Sequence, residues 1–133
     1  MSYLLDTNAC IQYLNGRSEH LRQQLSNKNP EEIVLCSVVK AELFFGAQKS
    51  SKPERNLKEI RKFFNRFASI PFDDAAAEAY GRIRSQLEKL GTPIGPNDLL
   101  IAAIAVANQI ILITHNTTEF ARVEGLIVED WEI

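Results

Sequence analysis

The chain has 133 residues, enough for one domain with a core of its own and too few for two comfortable ones. Its 45% hydrophobic and 24% charged residues, with six glycines and five prolines, exclude disordered and fibrous classes. A net charge of −2 at pH 7 excludes a surface that is basic overall, as one coated in nucleic acid would be.

Tyr3 to Leu5 predicts a short strand, followed by a helix over "ACIQYL" that Asn8 caps and Gly16 ends. "EHLRQQLSN" predicts a second short helix. "IVLC" at 33–36 is a buried strand by its β-branched content, and Ser37 stands where it can cap the helix of "VVKAELFFGA". Pro53 suits the first position of the next helix, whose Leu57, Ile60, Phe64 and Phe67 recur at spacings of three and four and so form one buried face. "SIPF" at 69–72 gives a further strand, which Pro71 assigns to a sheet edge. Asp73 or Asp74 caps "AAAEAYGRIRSQLEKL", with Ala76, Tyr80, Ile83, Leu87 and Leu90 as its inward stripe and Gly91 as its stop. Pro93, Gly95 and Pro96 make a tight entry into a helix that holds only Leu, Ile, Val and Ala from Leu99 to Ala107. "IILIT" at 110–114 and "LIV" at 126–128 are the last two strands.

Strands separated by helices, without hairpin signals, predict an α/β fold: a mainly parallel sheet covered by helices on both faces. Ligands bind such sheets outside the carboxyl ends of the strands. Asp6 follows the first strand, Glu42 lies a helical turn and a half beyond Ser37, Asp98 opens the buried helix, and Asn116 and Glu119 lie in "THNTTEF" after the fourth strand. Each acid also has a plainer explanation, as a cap, a turn residue or a complement to a helix dipole. The residues alone leave both readings open.

Carboxylates that converge within a few ångströms must take up protons or bind a cation. Oxygen donors suit a hard divalent ion, Mg²⁺ or Mn²⁺, and no His or Cys cluster offers a zinc-type alternative. Such a site supports displacement at phosphorus, and hydrolysis of a phosphodiester is the leading inference. Neither a GxSxG elbow nor a GxxxxGK[ST] loop is present. Cys10 and Cys36, without metal or redox spacing, read as reduced apolar side chains. His115 could protonate a leaving oxygen, but a lone loop histidine more often faces solvent; neither it nor His20 is assigned a role.

Residues 49–66 carry Lys49, Lys52, Arg55, Lys58, Arg61, Lys62 and Arg66 against only Glu54 and Glu59, either a solvated helix face or a contact for a polyanion. The start "MSYLLD" shows no signal peptide, and the apolar run at 99–107 is about half of the roughly 20 residues a bilayer needs, so a cytoplasmic protein is expected.

"LLDTN", "VVKAELFFGA", "PIGPNDLLIAA" and "THNTTEF", in this order and ending in "VEDW", resemble the PIN-domain ribonucleases, and among them the VapC-type toxins of bacterial toxin–antitoxin pairs. The resemblance spans nearly the whole chain. It implies a three-layer α/β/α sandwich, residues 1–133 as a single nuclease domain, and a Mg²⁺- or Mn²⁺-dependent endoribonuclease acting on structured RNA such as tRNA. It makes Asp6, Glu42 and Asp98 the core acidic triad, binding metal directly or through water. Many family members place an aspartate shortly after the fourth strand; here Asn116 stands near that place, and the fourth position falls to Glu119, contacting metal through water. Thr7, Asn8, Thr114 and Asn116 would orient carboxylates or waters. Many relatives carry a basic or His residue where this chain has Ile104. The resemblance also implies a homodimer inhibited by a VapB-type antitoxin. It offers Lys49, Lys52, Arg55, Lys58, Arg61 and Lys62 a role on RNA phosphates or an acidic antitoxin segment. The rival readings are a non-catalytic binding module of the same fold and a metal-dependent phosphatase for small phosphate esters.

Overall fold

The short apolar segments pair as strands, and helices carry the chain back between them, so every strand runs parallel to its neighbours. The computed structural model describes all 133 residues. In chain order these form β1 (Tyr3–Leu5), α1 (Thr7–Asn15), α2 (Glu19–Ser26), a 3₁₀ turn (Pro30–Glu32), β2 (Ile33–Cys36), α3 (Ser37–Gln48) and α4 (Pro53–Phe64). There follow β3 (Ala68–Ile70), α5 (Asp74–Lys89), α6 (Pro96–Asn108), β4 (Ile111–Ile113), α7 (Thr117–Phe120) and β5 (Val128–Glu129).

The sheet order is β3-β2-β1-β4-β5. From β1 the chain builds outward through β2 to β3, then returns to lay β4 on the other side of β1, with Leu5 beside Ile113. That reversal is a topological switch point, and it opens a crevice at the carboxyl ends of β1 and β4. β1 lies between two partners, which is why Leu4 and Leu5 are wholly buried. Pro71 stands just past β3, the edge strand, where it interrupts no ladder.

Thirty-three buried residues form one apolar cluster. α5 packs along α6 and α3 along α4. Ile101 to Ala105 are fully buried, as an all-aliphatic helix body requires. Cys10 and Cys36 are free and buried, and burial pushes both thiols up.

The structure corrects four local readings. The cap of α1 is Asp6, whose Oδ1 accepts from the Ala9 N–H at 2.8 Å, so Asn8 lies inside the helix; Gly16 closes it in the left-handed region at φ 66°. α3 begins at Ser37, because β2 runs straight into it and the extended Cys36 takes the cap position without a side-chain bond. Leu90 falls one residue past α5 and turns outward, 64% exposed. β5 starts only at Val128, after the Gly125 turn at φ 85°.

Candidate acidic active site

Asp6 stands at the switch point. Its backbone N–H donates to the Ile113 carbonyl at 3.0 Å, extending the β1–β4 ladder by one rung, while its side chain is only 3% exposed. Burial pushes the carboxyl up to about 6, against hydrogen bonds from the Thr114 hydroxyl and the Ala9 N–H, and the charges of Glu132 and Glu42 add to the rise. Its oxygen caps α1, which an uncharged side chain could also do, whereas its charge has little solvent to support it.

Glu42 reaches the same crevice from α3, which its apolar neighbours Val39 and Leu43 pin against the core. The Thr7 hydroxyl, in the first turn of α1, donates to Glu42 Oε1 and so ties the two helices together at the site. Asp98 enters from the first turn of α6, where Pro96 starts the helix. Its carboxyl also rises to about 6, through burial first and then through the charges of Glu119, Asp6 and Glu42.

Glu119 completes the group from α7. Its oxygens accept from the Gly95 N–H at 3.0 Å and from the Asn116 amide at 2.8 Å, and the Asn116 N–H in turn donates to Thr114 Oγ1 at 3.0 Å. The Asn116 amide, then the Gly95 N–H, hold Glu119 below the ordinary carboxylate range. The neighbouring carboxyls of Asp98 and Glu119 are therefore pushed in opposite directions, Asp98 upward and Glu119 downward. Four acids separated by as many as 113 positions thus gather at the carboxyl ends of β1 and β4, close enough that Glu42 acts on Asp6 and that Glu119, Asp6 and Glu42 act on Asp98.

The other sequence-derived candidates divide. Thr7, Thr114 and Asn116 each hold an acid, as described. Asn8 bonds to none of them, but it lines a cleft of about 770 Å³ together with Thr7, Glu42, Asn97 and Lys49. Arg55 borders a second cleft, of about 560 Å³, on the other side of Glu42. Lys52, Lys58, Arg61 and Lys62 border neither cleft; Arg61 lies over the Phe44 ring at 5.9 Å. Ile104 is wholly buried and belongs to the apolar core cluster.

Sequence reasoning weighs His115 without assigning it a role and misses its partners Asp130 and Glu132, at the far end of the chain. His115 Nδ1 and Asp130 Oδ2 are 2.8 Å apart, and Glu132 completes a trio whose ligand atoms all lie within 4.8 Å of one another. It is the one such trio of His, Cys, Asp or Glu in the molecule. Asp6, Glu42, Asp98 and Glu119 are spread more widely, a spacing that leaves room for water between carboxylate and cation, which magnesium prefers to keep. The only signal in the sequence is that "THN" and "DWE" both follow strands.

An all-oxygen donor set of four carboxylates, two of them raised to about 6 by burial first and then by neighbouring acids, fits a hard divalent cation.

Residues 3–126 match the PIN domain. The chain is 38% identical over 131 residues to the tRNA(fMet)-specific endonuclease VapC of Salmonella typhimurium, covering 98% of each. It is 40% identical over 134 residues to ribonuclease VapC2 of Rickettsia felis, covering 99% of each. Among solved structures it superposes on a chain of DNA-bound VapBC from Salmonella typhimurium with a TM-score of 0.93 at 37% identity, covering 98% of each.

Proposed function

The chain belongs to the PIN-domain family, and from that premise we propose that it is a divalent-metal-dependent endoribonuclease, the toxin of a toxin–antitoxin pair. The observation that carries the reading is the meeting of Asp6, Glu42, Asp98 and Glu119 at the β1–β4 crevice. Residues 1–133 act as a single nuclease domain. The inhibitor is a VapB-type antitoxin, in keeping with the VapBC structure that the chain resembles; the toxin is a homodimer in the cytoplasm. No helix is long and apolar enough to cross a membrane. The substrate is a structured RNA such as tRNA, in line with the name of the Salmonella relative.

Asp6 and Asp98 would hold Mg²⁺, or Mn²⁺ in its place, with Glu42 and Glu119 reaching it through water. When bound, the cation supplies an activated water and offsets the charge of phosphate oxygens. The protein's own residues supply order. Thr7 fixes the orientation of Glu42, and Thr114 that of Asp6. Gly95 and Asn116 keep Glu119 ionised and aimed at Asp98. Such outer partners set the affinity and orientation of ligating groups. Lys49 and Arg55, on either side of Glu42, are placed for the phosphates of the flanking strand.

The test uses antitoxin-free protein and a circular RNA, which only an endonuclease can open. Cleavage in Mg²⁺ that stops in EDTA and in the Asp98→Asn variant is expected. Cleavage that survives both would overturn the reading.

A further inference from the structure

We propose that His115, aimed by Asp130, is a phosphate-binding residue whose Nε2–H grips the backbone of the RNA strand entering the acidic crevice. This rests on the nuclease reading above and assigns part of its substrate contact.

The β4–β5 ladder ends with Ile113 opposite Glu129, so the next residues of both strands emerge side by side. His115 follows Thr114 just past the carboxyl end of β4, and its ring is near enough to Asp6 to feel that charge. One of its nitrogens is fixed: Nδ1 meets Asp130 Oδ2 at 2.8 Å. Asp130 is itself anchored, because its other oxygen accepts from the Glu132 N–H at 2.9 Å and its side chain is only 10% exposed. The His115 side chain is 61% exposed, and Nε2 has no partner within the protein.

A rigid carboxylate that takes Nδ1–H leaves Nε2 as the one ring nitrogen presented outward. The groups facing the ring are Asp130 and Glu132 from the segment after β5 and Asp6 from the end of β1, all of which favour the imidazolium. The Asp130 hydrogen bond is the largest cause of its raised proton affinity. A cation with a directed N–H, one residue from an acidic crevice, suits a phosphate oxygen.

The probe is a fluorescein-labelled fragment of an RNA that the wild type cleaves. Its affinity is read by polarisation in EDTA over a range of salt and from about pH 6 to about pH 8.5, where imidazole titrates. His115→Gln is expected to bind roughly tenfold more weakly, since a hydrogen bond to a charged group is lost. It should also show a salt slope smaller by about 0.7 to 1, one phosphate contact fewer. In Mg²⁺ its KM should rise with kcat little changed. Asp130→Asn should shift the pH at which affinity falls to a lower value, while both variants melt close to the wild type.

Unchanged affinity and salt slope in His115→Gln would overturn the proposal. So would a fall in kcat at constant KM, the mark of a proton donor, or a large drop in melting temperature with affinity per folded molecule unchanged, the mark of a structural staple. If the wild type cuts RNA and His115→Gln binds equally well, only this proposal falls. If the wild type neither binds nor cuts RNA, the nuclease reading falls with it.

Discussion

Replacing Asp6 by Asn separates the cost of the buried charge from the fold that holds it. Asn caps helices as well as Asp does, so its Oδ1 can still accept from the Ala9 N–H and its amide can donate to Thr114 Oγ1. What disappears is the titration. The carboxyl rises from 3.8 to about 6 on folding. That shift corresponds to a penalty of about 3 kcal/mol once the group ionises. Because the folded value is the higher one, the stability linked to this group is fully present below pH 3.8. It is lost as the pH rises through about 6. Urea unfolding in EDTA, at several pH values across that window, reads the effect directly. The wild type should lose stability across it, whereas Asp6→Asn should hold its value and end up the more stable protein near neutrality, by up to about 3 kcal/mol. Added Mn²⁺ should reverse the order, since a ligand that binds only the folded state stabilises the wild type by mass action. A difference between the two proteins that stays constant with pH would refute the argument.

Other substitutions probe neighbouring links. Glu119→Gln removes a charge that helps raise Asp98, so the Asp98 carboxyl, followed by NMR in the metal-free protein, should fall toward 3.8. The Mn²⁺ concentration for half-maximal cleavage should rise by roughly tenfold or more in the same variant. Thr7→Val keeps the shape of the side chain but leaves Glu42 without its hydroxyl donor; RNA cleavage should fall on the order of tenfold with an unchanged circular dichroism spectrum. Ile104→Ala should cost about 2 to 5 kcal/mol in denaturant unfolding while the folded fraction cleaves normally, because this side chain fills the core and not the site.

Much of this was legible because the sheet is built from short, strongly apolar segments whose ends are marked by single acids. Asp6 and Asp98 each abut a run of aliphatic residues, and Glu42 lies amid apolar neighbours, so each stood out before any contact was known. Glu119 was marked only by its place after the fourth strand, and its assignment to the fourth position came through family resemblance. Its place depends on the Gly95 N–H, 24 residues away. Asn8 and Asp6 are both good capping residues two positions apart, so the sequence does not say which one caps α1; the structure gives the cap to Asp6, the same carboxylate that serves the site. Nor was the meeting of His115 with Asp130 legible: it follows from the register that pairs Ile113 with Glu129, and two-residue β5 gives almost no pattern from which to read a register.

The central claim is that one acidic crevice both binds a divalent cation and cuts RNA. It is tested most directly by titrating antitoxin-free protein with Mn²⁺ while following the bound ion by electron paramagnetic resonance and the opening of a circular RNA in the same samples. The account predicts that the two curves rise together in the wild type and that Asp98→Asn loses both. Cleavage that is already maximal before any Mn²⁺ is bound, or that persists in Asp98→Asn, would contradict it.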